Sequence, residues 1–284
     1  MGRHVESRIL GTIDAEEIVI GQGVLVEEGA LITGKNGRAA RVVLGDHCYV
    51  GCGTRILVPE FRLGDYSKLH ARSFGHGEKP LQIGRNCWIG GDTVLDSMGG
   101  LTIDDNVGIG SQSQIWTHIR FGDIVEGCRF FQEKPVWIGK DAWFVGHCIV
   151  SPVSVGPRSM ALAGSVVTRD MLANHVYGGV PAVDLTDKIG GQFEERSAGE
   201  KAARLRELVD AFTARHPEYA GELLVAATPE EIRSGVCCFD VSRRVYTKTR
   251  SEAEVAFLKA HVPLVKFTPL GEPPFVEPPE DHDH

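Results

Sequence analysis

Aliphatic residues return at six-residue steps through much of the first 170 positions, a spacing that fits neither the 3.6-residue helical period nor the alternation of a half-buried strand. The series runs Leu44, Val50, Ile56; Leu63, Leu69; Ile83, Ile89, Leu95; Ile103, Ile109, Ile115; then Ile138, Phe144, Val150 and, after a step of five, Val155, Ala161 and Val167. Glycine is abundant, 34 of 284 residues, and it gathers beside these positions, as in Leu44-Gly45, Val50-Gly51, Ile83-Gly84, Ile109-Gly110 and Ile138-Gly139. A six-residue step suits a short strand followed by a corner, with the aliphatic side chain inward and a small residue at the turn. Three such faces close one coil, and each coil leaves an edge that only the next can cover. The pattern therefore predicts a mainly β chain, a parallel β-helix of hexapeptide repeats over residues 10–190. Two stretches break the step, HARSFGHGEKPLQ between Leu69 and Ile83 and WTHIRFGDIVEGCRFFQEKPVW between Ile115 and Ile138. Both are expected to leave the coil as loops and to build the functional surface.

After Pro181 the register stops. The segment 194–215, EERSAGEKAARLRELVDAFTAR, reads as an amphipathic helix with Ala203, Leu205, Leu208, Val209 and Phe212 near one face, ended by His216-Pro217. Residues 229–234 suit a helical turn opened by proline, 236–240 and 244–247 a strand pair, and 251–261 a helix with Ser251 as N-cap and Glu254 completing a capping box. Residues 195–272 are thus expected to form a small C-terminal α/β appendage that docks a partner or supports an assembly. The Pro- and acid-rich stretch 273–284 is expected to be a disordered tail.

A net charge of -8 and the lack of any dense Lys/Arg run argue against a nucleic-acid surface, so an anionic ligand needs a local basic pocket. The seven cysteines, 48, 52, 87, 128, 148, 237 and 238, include no CxxC pair, which fits reduced thiols better than a disulfide framework. No signal-like N-terminus and no run of about 18 apolar residues occurs, so a cytoplasmic protein with no membrane span is expected.

Residues 134–182, with Trp137-Ile138-Gly139, Trp143, AGSVVTRD and GGVPA, resemble the closing coils of hexapeptide-repeat acyltransferases, closest to the sugar and xenobiotic O-acetyltransferases. The hexapeptide resemblance covers roughly residues 13–185. It implies a left-handed coil, a homotrimer, and acetyl-CoA bound as cosubstrate between neighbouring subunits, with no metal. It also implies that His118, on the second break, is the general base. Histidine suits that task because its unperturbed pKa lies near neutrality. Asp123, Glu126 and Glu133 on the same segment, or a backbone carbonyl, are candidates to orient its second ring nitrogen. Carried over residue by residue, the coenzyme contacts fall near Trp143, Gly146, Ala163, Thr168 and Arg169, the last replacing a common Lys and able to clamp a phosphate. Phe144-Val145-Gly146 departs from the usual Ile-Gly-small pattern, so the corner near the coenzyme is expected to be reshaped. Asp96 falls where relatives place a polar acceptor contact, and His76 or Arg72 on the first break could also reach the acceptor.

A three-histidine zinc site from His70, His76 and His147 is disfavoured, because the close histidine pairing it needs is missing around His118. Trp88, Trp116 and Trp137 flank aliphatic steps and are expected to pack on outer faces or at trimer contacts rather than to form a ligand platform. The function expected is acetyl transfer from coenzyme A to a hydroxyl of a carbohydrate-like acceptor. Two alternatives stand beside it: N-acylation of a nucleotide-linked amino sugar, and a non-enzymatic β-helix scaffold that docks a partner through residues 195–272.

Overall fold

The computed structural model describes residues 6–262 and 264–277. The chain divides into two compact units, one holding residues 6–193 and 275–277, the other 194–274. In the first, three mainly parallel sheets share one repeating rule as far as Ile115: each strand bonds to the strand three places further along the chain, which is a coil wound around a triangular core. On one face Val26, Val50, Leu69, Ile89, Ile109, Phe144 and Ala161 stack in register. On the second, Ile32, Ile56, Gly75, Leu95, Ile115, Val150 and Val167 do so. The third carries Leu44, Leu63, Ile83, Ile103, Ile138 and Val155. Every aliphatic residue of the six-residue series is buried, none more than 1% exposed. Each such side chain contributes on the order of 1.5–3 kcal/mol, so the ladder is the main source of stability.

The second expected loop is real, but the first is not. Residues 70–82 stay in the coil, with Phe74–His76 paired in parallel to Arg55–Leu57 below and Val94–Asp96 above. The step looks broken because glycine occupies the core position. A Cβ at Gly75 would sit 2.8 Å from both Ile56 Cδ1 and Leu81 Cδ2, so two neighbouring side chains already fill the space. The glycines beside the aliphatic steps answer a close approach between coils: a Cβ at Gly64 would lie 2.5 Å from the Gly84 carbonyl carbon. The left-handed backbone at the corners falls largely on other residues, including His47, Tyr66, Asn86, Asn106 and Asp141.

At one such corner burial pushes the Asp104 carboxyl up to about 6, helped by Asp105 and Asp141 and opposed by the Asp105 N–H and Lys140. Because its folded value lies above the ordinary carboxylate value, Asp104 favours folding while protonated and loses that contribution as pH rises through about 6. Asp104→Asn keeps an oxygen to accept from the Asp105 N–H and removes the charge. Thermal unfolding should find it more stable than wild type at pH 8 by about 3 kcal/mol, with the difference gone below about pH 4.

The second unit is a mixed four-stranded sheet with two helices. Leu223–Ala226 runs parallel to Cys237–Asp240, which is antiparallel to Val245–Tyr246, and that strand is parallel to Thr268–Pro269. Helix Ala198–Arg215 opens on Ser197 with the reciprocal Glu200 bonds of a capping box, and it buries Ala202, Leu205, Val209 and Phe212. Ala203 stays exposed and Leu208 only half-buried, so the inward stripe lies slightly off the expected one. Helix Glu252–His261 has the expected Ser251 cap, but Glu254 does not return to it. Its carboxylate instead accepts from the Thr249 and Arg250 N–H groups and the Thr249 hydroxyl. Of the expected tail, residues 278–284 lie outside the described residues; Phe275 lies under the guanidinium groups of Arg62 and Arg85, and Val276 is buried. Among the described residues, no helix is long and apolar enough to cross a membrane.

Candidate active site

The second face of the coil ends each rung at a column where Thr33, Leu57, His76 and Asp96 stand one above another. One rung higher the chain leaves the coil. After Ile115 it passes through Trp116 and buried Thr117 into a hairpin, His118–Arg120 antiparallel to Phe131–Glu133, and returns where the Lys134 N–H donates to the Thr117 carbonyl. This exit is the local reason that His118 faces Asp96.

Asp96 is 0% exposed. Its Oδ2 accepts from the Thr117 N–H at 2.8 Å and the Thr117 hydroxyl at 2.6 Å, and lies 2.8 Å from Nδ1 of His118. A carboxylate oxygen only accepts, so Nδ1 carries the proton and Nε2 keeps its lone pair. The Nε2 atom makes no hydrogen bond among the described residues, and the side chain is 21% exposed. The arrangement is that of a base: one ring nitrogen held by a buried anion, the other open.

Two corrections follow. Asp96, expected as an acceptor contact, lies beneath His118, with one oxygen taken by three donors and no exposed surface. Two of the acids expected to orient His118 are occupied elsewhere: Asp123 accepts from the N–H groups of Val125 and Glu126, and Glu133 pairs with Arg120 at 3.2 Å. Thr117, which the sequence gives no reason to single out beyond its place beside His118, supplies two of the three donors. Its hydroxyl in turn accepts from the Gly99 N–H, which ties the rung of Asp96 to the exit of the hairpin.

His76 stands directly below Asp96, its Nε2 3.9 Å from Oδ1. That oxygen is buried and has no hydrogen-bond partner. The His76 ring stacks on Phe74 and meets Trp116 edge-on, and Trp116 also meets His118 edge-on. Burial pushes the His76 imidazole below the usual histidine range, with His118 and Lys35 adding to it and Asp96 opposing. Arg72 is not part of this group. It sits at the opposite end of its rung, roughly 13 Å of extended chain from His76, where it grips Asp92 with two bonds of 2.8 and 2.7 Å.

The residues expected at the coenzyme occupy two edges of the coil. Trp143, 44% exposed, lies on the first face above Gly108, where a Cβ would meet its ring at 3.0 Å. Gly146, with φ of 147°, and exposed Ala163 turn the next corner, where the Gly164 N–H donates to the Gly146 carbonyl. Thr168 and Arg169 are exposed at the following corner, in the stack above Trp116 and Ser151. Arg169 makes no ion pair among the described residues, so its guanidinium is free for an anion. Exposed backbone at the glycine corner, an open tryptophan face and this cation suit a long amide-bearing arm with a phosphorylated end. Among the described residues no group of three His, Cys, Asp or Glu is placed to hold a metal ion.

The hairpin itself is apolar and bare. Phe121 is 102% exposed, Val125 89%, Phe130 75% and Ile124 70%.

The chain is 30% identical to the galactoside O-acetyltransferase of Escherichia coli K12 over 111 residues, 38% of this chain and 54% of that protein. It thus spans about half the length of that curated relative. The solved structure of the polySia-specific acetyltransferase NeuO superposes with a TM-score of 0.51 at 17% identity, covering 72% of this chain and 98% of that one. That likeness gives the fold: a left-handed parallel β-helix. No family model matches the chain.

Proposed function

We propose that this hexapeptide-repeat protein is an acyltransferase that moves an acetyl group from acetyl-CoA to a hydroxyl of a carbohydrate acceptor, with His118 as the general base. The observation that carries the reading is the His118–Asp96 pair, a histidine held at Nδ1 by a buried carboxylate and open at Nε2. The sequence relative supports the reaction class and the acceptor class, since that protein is a galactoside O-acetyltransferase.

In the reaction, Nε2 of His118 takes the proton of the acceptor hydroxyl as its oxygen attacks the thioester carbonyl. The carbon–sulfur bond breaks, the thiolate leaves, and the imidazolium returns the proton to sulfur, giving an ester and free coenzyme A. Asp96 stabilises the imidazolium between those two transfers and keeps the ring from turning. Trp143, Gly146, Ala163, Thr168 and Arg169 are the coenzyme contacts in this reading, with Arg169 on a phosphate.

The working form is a homotrimer in the cytoplasm. Its support is the hairpin that carries His118, whose bare apolar residues a second copy would cover. The free thiols agree with a reducing compartment. Two measurements on the full chain test the reading together. Light scattering should give a trimer, and acetyl-CoA at about 100 times its dissociation constant should add roughly 2.7 kcal/mol of stability, a rise of a few degrees in Tm. A monomer that acetyl-CoA leaves unshifted refutes it.

A further inference from the structure

We infer that His76 is a positioning residue, donating from Nε2 to the second oxygen of Asp96 so that the buried carboxylate is held between two histidines. The inference rests on the acyl-transfer reading and assigns His76 a place in that site other than acceptor contact. Three observations carry it. Asp96 Oδ1 is buried without a hydrogen-bond partner, and buried carboxylate oxygens are satisfied as a rule. A donor stands on the adjacent rung: His76 and Asp96 are register partners, and Nε2 needs to close from 3.9 Å by roughly 1 Å to reach hydrogen-bond length. The ring also has little freedom to point elsewhere, with Phe74 stacked on it at 4.8 Å and Trp116 edge-on at 6.5 Å.

The charges around His76 agree. Asp96 and His118 face it from the coil above and the hairpin, and Lys35, paired with Glu78 at 3.1 Å, acts from the coil side below. Their balance with burial holds His76 neutral, and a neutral imidazole with its proton on Nε2 donates to Oδ1 without cancelling the charge of Asp96. The donation fixes the plane of the carboxylate, so Oδ2 stays aimed at His118. It also draws electron density from the carboxylate, so that Asp96 holds the imidazolium of His118 less tightly and the proton returns to sulfur.

A residue that positions the base and one that binds the acceptor differ in what their loss does to kinetics. For His76→Ala, kcat should fall about tenfold, the loss common for a second-layer partner, with the acceptor KM unchanged within about twofold. The acidic limb of the pH profile should move to higher pH, because Asp96 then pulls harder on the His118 proton. His76→Gln, whose amide can donate to the same oxygen, should recover most of the rate, and it carries the test if the alanine variant does not fold. A rise in acceptor KM with kcat kept overturns the inference, as does a variant that changes neither. Imidazole NMR of His118 decides the point without any acceptor: its titration should shift upward in His76→Ala and return in His76→Gln, and an unmoved titration overturns the inference. Failure of the acyl-transfer reading is a separate observation, namely no thiol release by the wild type.

Discussion

His118→Ala is expected to lower acceptor-dependent turnover about 10³-fold, within the range of roughly 10²–10⁴ that a positioned general base supplies. The loss should fall on kcat, because the residue acts on the acceptor proton in the transition state and does little to hold either substrate. Acetyl-CoA should still raise Tm as in the wild type, since the proposed coenzyme contacts lie on other rungs of the coil. Stability should change little, because His118 is only partly buried and Asp96 keeps both donors from Thr117. Steady-state kinetics with thermal unfolding separates this from a fold defect. An alanine variant that turns over at the wild-type rate removes His118 from the mechanism.

Asp96→Asn should cost about 10²- to 10³-fold in kcat, less than the loss seen when a substitution also imposes the wrong tautomer. The geometry explains the difference. Oδ2 of Asp96 is the acceptor of three donors, so an amide in its place turns its oxygen to that position and keeps His118 oriented. What is lost is the negative charge that stabilises the imidazolium. The amide nitrogen then faces His76 at the site of Oδ1. Alanine would be the poorer probe, because it strands three donors at about 1–3 kcal/mol each where they are buried. The test is the division between kcat and KM: a rise confined to the acceptor KM would return Asp96 to acceptor binding.

The coil is legible in the chain because its core is local. Each six-residue step places one aliphatic side chain inward, and every one of those residues is buried. Gly75 misleads for a physical reason: the space at its rung is filled from Ile56 and Leu81, so a core position with no side chain reads as a loop. The site is less legible because its contacts run between rungs. Asp96 and His118 are 22 positions apart, and their meeting depends on a count of rungs that the turn after Asp96 interrupts and on where the chain leaves the coil for the hairpin. Arg72 reads as an acceptor contact beside His76 in sequence, yet it stands at the far end of the same rung, where a corner carboxylate holds the guanidinium. In the second unit the serine caps are readable because they are local, whereas the parallel pairing of Leu223–Ala226 with Cys237–Asp240 joins segments with no repeat to announce it.

The most direct test of the account is release of coenzyme A thiol from acetyl-CoA by the full chain against a panel of carbohydrates, with the product identified by mass spectrometry. The account predicts release that depends on the acceptor and is matched by an O-acetyl ester, lost in His118→Ala. Thiol release that no acceptor accelerates, or acceleration that survives in His118→Ala, contradicts it.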